Sequence, residues 1–158
     1  MQVVLRSAVD SDAPAVAEVL ISSRRTFIPY APLAHSPSEV HQWVKHTLIP
    51  SRGVTVACAS DEVVGVLATS EAEGILWIDQ LYVLPGFVGQ GVGARLLKHG
   101  LVSQVRPVRL YTFQANAGAR RFYEKHGFKA IEFTDGRTNE ERCPDALLEL
   151  AAGGENAA

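Results

Sequence analysis

Between Gly86 and Gly100 the chain reads GFVGQGVGARLLKHG, with glycine at five positions. Glycine is costly inside regular structure because folding removes its extra backbone freedom. Yet this stretch joins a run that reads as a strand to one that reads as a helix. A helix that begins just after a strand points unpaired backbone N–H groups into the turn. Its dipole adds partial positive charge there. With no side chains at Gly89, Gly91 and Gly93, a phosphate can come within hydrogen-bond distance of those groups. The stretch therefore reads as a pyrophosphate cradle. A plain strand–helix turn, with glycines for close packing, would give the same residues. A P-loop is excluded because no lysine stands in the required place. A dinucleotide fingerprint is formally matched by Gly89, Gly91 and Ala94. That motif should open a parallel βαβ unit with an acid about 20 positions on. Here three strands that read as antiparallel precede it, and the next acid is Glu124.

Two other groups have the chemistry of a proton transfer. Asp79 lies in ILWIDQLYV, where alternation puts Trp77, Asp79, Leu81 and Val83 on one face. A carboxylate in an apolar strand is costly unless it is partnered or faces a cleft. Burial would raise its pKa toward values useful to a base. A bond to a nearby turn or arginine is the structural alternative. Tyr123 shares a helical face with Ala119, Phe122 and His126, a spacing that core packing alone also gives. His35 and His41 flank a helix start and read as surface or capping residues. His46, His99 and His126 read as structural or exposed, and Glu71 and Glu73 as solvated turn residues.

The elements that must position these groups alternate along the chain. VVLRS reads as a strand and DAPAVAEVLISS as a helix with Val16, Val19 and Leu20 inward. SPSEVHQWVKHTL is a second helix, opened by a Ser36–Glu39 capping box with Pro37 at its first position. Val40, Trp43, Val44 and Leu48 form its expected buried stripe. VTVACAS, VVGVLATS and ILWIDQLYV, separated by short breaks, read as an antiparallel meander. After the glycines, Val92, Leu96, Leu97 and Leu101 mark a helix face. VRLYTF is a strand. NAGARRFYEKH is a helix capped by Asn116 and closed by Gly127. FKAIEFT and ALLEL complete the sheet. The fold class is α+β, with one strand–helix–strand crossover around the glycines.

The 158 residues suit a single domain over 1–150, with a small, polar tail at 151–158 expected to be disordered. A hydrophobic fraction of 47% is enough for a real core, and a net charge of -2 without a Lys/Arg block disfavours nucleic acid as a partner. No run approaches the ~18 apolar residues of a membrane span, and the N-terminus lacks a signal-peptide core. Cys58 and Cys143 read as free thiols, which fits a soluble cytoplasmic protein.

The pair YVLPGFVGQGVGARLL and NAGARRFYEKHGF, in this order and spacing, resembles the GCN5-related N-acetyltransferases, the GNAT superfamily. With the opening LRSAVDSDAPAVAEV, the likeness covers most of the chain. It implies a central six- or seven-stranded, mostly antiparallel mixed sheet, splayed in the middle and flanked by about four helices, with acetyl-CoA in the opening. It implies pyrophosphate contacts along Val88, Gly89, Gln90, Gly91, Val92, Gly93 and Ala94, and pantetheine beside the strand of Leu81 and Val83. Val88 departs from the family pattern, which has Gln or Arg there. The cradle works mainly through backbone N–H groups, so this weakens cofactor affinity without abolishing it. A buried charge-assisted contact is worth ~1.5–3 kcal/mol, an exposed one less.

The resemblance also implies a backbone N–H near Leu81 against the acetyl oxygen and Tyr123 beside the sulfur as proton donor. Asn116 would touch the cofactor as well as cap its helix. Asp79 would take the amine proton through water or bind the ammonium directly; no metal is implied. The region around His35 and His41 commonly covers the acceptor in such proteins. Phe27, Tyr30, His35 and Trp43 are candidate acceptor contacts, and Arg24, Arg25 or Arg137 could hold a carboxylate. RRTFIPYAPLAH and DGRTNEERCPD are expected to be irregular and to shape that site. The implied activity is acetyl transfer from acetyl-CoA to a primary amine of a small molecule or peptide, by direct attack in a ternary complex. The other reading is a non-catalytic acyl-CoA-binding or regulatory module on the same fold. Many relatives dimerise, and the sequence leaves a homodimer open.

Overall fold

The computed structural model describes residues 2–31 and 34–152, so residues 153–158 of the expected tail lie outside the described residues. Seven strands form one mixed sheet: β1 (Val3–Ser7), β2 (Val54–Ala59), β3 (Glu62–Ala72), β4 (Ile75–Val83), β5 (Val108–Phe113), β6 (Lys129–Phe133) and β7 (Asp145–Leu150). Their order is β1-β2-β3-β4-β5-β7-β6. Four α-helices join them among the described residues: α1 (Ala13–Phe27), α2 (Pro37–Trp43), α3 (Val92–Leu101) and α4 (Ala117–Lys125). The pairs β1–β2, β2–β3, β5–β7 and β6–β7 are antiparallel. β4 and β5 are parallel, joining Leu76 to Val108 and Trp77 to Arg109. The expected α+β sheet is thus present, with α3 in the crossover between the parallel strands.

The backbone gathers into two compact units. One holds β1, α1, α2, β2, β3 through Thr69, β4 from Gln80, and α3. The other holds β3 from Ser70, β4 through Asp79, β5, α4, β6 and β7.

In the first unit, the 3.6-residue stripe of α1 buries Val16, Val19 and Leu20 against Val54, Val56 and Val66 of the strands. α3 approaches β3 closely because two glycines make room. A Cβ at Gly65 would lie 2.9 Å from Leu96 Cδ1 and 3.1 Å from Val92 Cγ1; one at Gly100 would lie 3.0 Å from Leu67 Cδ2. The α2 capping box is formed as expected: the Ser36 N–H donates to Glu39 Oε1 (2.8 Å) and the Glu39 N–H donates to Ser36 Oγ (3.2 Å). The Ser36 backbone bond holds the Glu39 carboxyl below its ordinary pKa.

In the second unit, β5 alternates buried Val108 and Leu110 with outward Arg109 and Tyr111. Phe128 is fully buried, and Tyr123 of α4 packs edge-on against it, with centroids 5.5 Å apart. Gly127 closes α4 at φ +94°.

Three boundaries differ from expectation. α1 continues past Ser23 and takes in Arg24, Arg25, Thr26 and Phe27. The serines that read as an end are compatible with the helix, because the buried Ser23 hydroxyl donates to the Val83 carbonyl (2.9 Å). Two arginines in the last turn also suit the dipole. α2 stops at Trp43 and passes into a π-helical turn over Val44–Leu48. Val44 and Leu48 are buried as expected, while Trp43 is 39% exposed, outside the stripe predicted for it. β3 runs on through Glu71, which is exposed at a strand end and not in the turn.

One ion pair ties β1 to the start of α1. Arg6 Nη1 and Nη2 donate to the Asp12 carboxylate at 2.7 and 2.9 Å, and the Val9 N–H adds a third bond at 2.7 Å. Chiefly through the Arg6 hydrogen bonds, against an opposing effect of burial, the Asp12 carboxyl titrates below its usual range. A carboxyl depressed in the folded state stabilises the fold above its unfolded pKa of about 3.9, and that contribution is lost as pH falls through the lower folded value. Asp12→Asn should therefore lower the melting temperature at neutral pH. The gap to wild type should narrow progressively below about pH 4. A gap that stays constant down to strong acid would show that the pair adds nothing through its charge.

Candidate active site

The chain leaves β4 with the Leu84 N–H donating to the Val64 carbonyl (2.8 Å), makes one 3₁₀ turn over Pro85–Phe87, and reaches α3 through four exposed residues, Val88 to Gly91. Gly89 and Gly91 have φ of +86° and +83°, the left-handed region where side chains are strained. Gly91 is the N-cap of α3 and supplies no capping side chain. The first helical bond runs from the Arg95 N–H to the Gly91 carbonyl (3.1 Å), so the N–H groups at the start of α3 have no carbonyl of their own helix to meet. A Cβ at Gly89 or Gly91 would meet nothing within 4 Å. Close packing, which does explain Gly65 and Gly100, does not explain these two. They turn the backbone and leave open space in front of a bare, positively polarised helix end. The Gln90 side chain donates back to the Gly86 carbonyl (3.4 Å), and Val88 is 51% exposed.

In the second unit, α4 begins at Asn116, whose Oδ1 accepts from the Ala119 N–H (3.1 Å). The cap uses only the amide oxygen and leaves the –NH₂ group to donate elsewhere. Tyr123 is 7% exposed and meets Phe122 edge-on at 5.1 Å as well as Phe128, so it is part of the core whatever its hydroxyl does. Asp79 differs from expectation: it is exposed, and its carboxylate has no hydrogen-bond or ion-pair partner among the described residues. Its carboxylate is open to solvent and accessible to a cation.

Residues 50–130, which include Asp79, the glycine loop, Asn116 and Tyr123, match the family model described as an acetyltransferase (GNAT) domain. The chain belongs to the GNAT family. A curated relative, an uncharacterized N-acetyltransferase of Archaeoglobus fulgidus, is 33% identical over 91 residues that span 51% of this chain and 62% of that protein. The match thus covers less than two thirds of the relative's length. Among solved structures, the apo form of YjaB from Escherichia coli superposes with a TM-score of 0.74 at 21% identity, covering 94% of this chain and 97% of that one. The PaiA N-acetyltransferase of Thermoplasma acidophilum, in complex with coenzyme A, gives 0.72 at 22%, over 94% and 98%. Arabidopsis thaliana Naa50, with the bisubstrate analogue CoA-Ac-MVNAL, gives 0.71 at 21%, over 94% and 98%. At these identities the likeness establishes the GNAT fold.

The stretches expected to shape the acceptor site of this GNAT chain turn out unequal. Arg24 and Arg25 belong to α1. Phe27 and Trp43 are exposed and make no ring contact among the described residues, whereas Tyr30 meets Phe113 edge-on at 6.4 Å. His35 faces Glu39 at 4.0 Å and His41 faces Glu18 at 3.3 Å, the surface role their positions suggested. Arg137 is taken up by Asp135 at 3.0 Å. No group of three or more His, Cys, Asp or Glu gathers as a metal site, and no helix is long and apolar enough to cross a membrane, among the described residues.

DGRTNEERCPD is irregular but fastened. Asn139 Nδ2 donates to the Cys143 carbonyl (2.7 Å) and to Asp145 Oδ2 (3.1 Å), while its Oδ1 accepts from the Cys143 N–H (3.1 Å). Gln114 Nε2 donates to the Thr134 and Asp145 carbonyls at 2.8 and 3.0 Å. Neither Asn139 nor Gln114 stood out in the sequence. The available signal was a side-chain amide four residues before Cys143, within reach of that residue's own backbone. Asn139→Ala should cost about 1 kcal/mol in denaturant unfolding, because it removes three partly buried hydrogen bonds to Cys143 and Asp145. It should also remove amide-exchange protection at Cys143. A variant as stable and as protected as wild type would mean the clasp is not formed in solution.

Proposed function

We propose that this chain is an acetyl-CoA-dependent N-acetyltransferase that moves an acetyl group to the primary amine of a small molecule or peptide by direct attack in a ternary complex. The observation that carries the reading is the open space in front of the α3 N-terminus, kept by left-handed Gly89 and Gly91. It fits a pyrophosphate, and the PaiA and Naa50 structures, on the same fold, hold coenzyme A and a coenzyme A conjugate.

The residues from Val88 to Ala94 would hold the pyrophosphate through backbone N–H groups, and Leu81 and Val83 would lie along the pantetheine. Asn116 would add its free amide donor. When bound, acetyl-CoA supplies the thioester whose carbonyl carbon the amine attacks; the C–N bond forms as the C–S bond breaks. The backbone N–H near Leu81 would donate to the carbonyl oxygen as charge builds on it. Tyr123 would give its proton to the departing sulfur. Asp79, exposed and unpartnered, suits holding the ammonium or passing its proton to water. The burial of Tyr123 and the lack of a side-chain donor at Val88 are the observations favouring the second reading, a non-catalytic acyl-CoA-binding module.

Coenzyme A should raise the melting temperature, since a ligand bound only to the folded state stabilises it by mass action. Gly91→Ala and Gly91→Glu share the strain of a left-handed side chain, about 1 kcal/mol. Only the glutamate puts an anion where the phosphates would lie. The alanine variant should keep most of the coenzyme A shift and the glutamate variant should lose it. Equal shifts in both would send the phosphates elsewhere.

Tyr123→Phe keeps the packed ring and removes the proton, so kcat should fall about 100-fold with little change in KM. Asp79→Asn should raise the acceptor KM if the carboxylate anchors the ammonium. It should lower kcat most at acid pH if it accepts the proton. Wild-type kinetics in both variants, with an authentic acceptor, would leave the binding module standing.

A further inference from the structure

The outward face of the second unit's sheet carries a line of aromatic rings that the proposed chemistry does not use. Trp77 of β4 and Tyr111 of β5 stack with ring centroids 5.9 Å apart and planes at 8°. The parallel register that sets Trp77 opposite Arg109 puts both side chains on the face of Tyr111 and Phe113. Tyr30 closes on Phe113 edge-on. Tyr111 is 54% exposed even within the stack. The stack therefore leaves aromatic surface of Tyr111 open to whatever approaches it.

The charges on the same face are unequal. Arg109, which would repel a cation, is engaged by Glu149, its Nε donating to Oε2 at 2.7 Å. Asp145 is buried and committed to Thr134 and Asn139. Asp79 is left as an exposed carboxylate with no partner among the described residues. It stands two positions from Trp77 on one side of β4, about 6.6 Å along the strand, which a linker of about two or three carbons would span.

We infer that the acceptor is an arylalkylamine: its ring lies on the Trp77–Tyr111 stack and its ammonium on Asp79, so that Trp77 and Tyr111 determine specificity. Flat rings favour a flat ring, and the Asp79 carboxylate, on the same strand as Trp77 and nearer the stack than Glu132 and Lys129 of β6, favours one positive charge. The inference rests on the acetyl-transfer reading for its chemistry, but not for its binding.

Binding is therefore measured first, by calorimetry on the full chain without acetyl-CoA. Phenethylamine is compared with n-hexylamine, which carries the same charge and no ring. Phenethylamine should bind about three- to tenfold more tightly. Tyr111→Leu should erase that preference and Tyr111→Phe should keep it. Trp77→Leu, checked by its melting temperature, should behave like Tyr111→Leu. Asp79→Asn should weaken both amines alike. A merely structural role for the rings would not move the ratio between two amines. Free-thiol release with acetyl-CoA then follows with the same pair. Ring-dependent binding without acetylation supports the recognition site and rejects the transfer reading. Equal acetylation of both amines, untouched by Tyr111→Leu, overturns the inference and leaves the transfer reading intact. It is also overturned if neither amine binds and Tyr111→Asp converts a dimer to a monomer in sedimentation, for the stack would then be a subunit contact.

Discussion

The left-handed backbone at Gly89 and Gly91 is the constraint on which the proposed chemistry depends. A strand must become a helix within a few residues, and the helix must begin without a capping side chain. Any Cβ in that conformation meets its own backbone unfavourably, although the space beyond is empty. The glycines therefore meet a demand of geometry and leave, as a by-product, an uncapped helix start with open space beside it. Everything downstream in α3 is ordinary: Val92, Leu96 and Leu97 are buried as an amphipathic helix requires.

Much of the fold was legible because several local signals agree. The Ser36–Glu39 box, Pro37, the Asn116 cap and Gly127 each have a single good use, and the structure uses them so. β1, β4 and β5 fall within their predicted bounds because alternation and flanking turn residues coincide. The failures occur where one residue type serves two ends. Ser23 looks like a helix stop until its hydroxyl is seen to reach Val83. Trp43 looks like core by its spacing from Val40 and Val44, but its side chain stands at the exposed edge of that stripe. Asp79 looks like a buried acid because its strand is apolar, but apolar neighbours in sequence do not say what covers a face. The Trp77–Tyr111 stack depends on strand pairing between distant segments, which no local pattern carries.

The carboxylates sort by what they have found. Asp12 holds an arginine and a backbone N–H, and its acidity shifts accordingly. Asp145 holds a threonine and an asparagine, Glu149 an arginine and Glu39 a helix cap. These contacts fasten a strand to a helix, a loop to a sheet and a helix to its own start. Asp79, exposed on the face of Trp77, fastens nothing among the described residues.

The notch at Gly65 has a consequence for how this sequence can vary. The missing side chain there is filled by Leu96 Cδ1, with Val92 beside it. The two positions therefore share one volume. A methyl gained on the strand has to be surrendered on the helix, since interiors of this density have no slack to absorb it. The flexible end of Leu96 can swing aside for a small addition, but a branched residue on β3 would need a smaller partner on α3. In any population of functional variants, the sizes of residues 65 and 96 should be anticorrelated. Because α3 is also the helix whose first turn faces the open space, selection at its far side reaches that turn through packing alone.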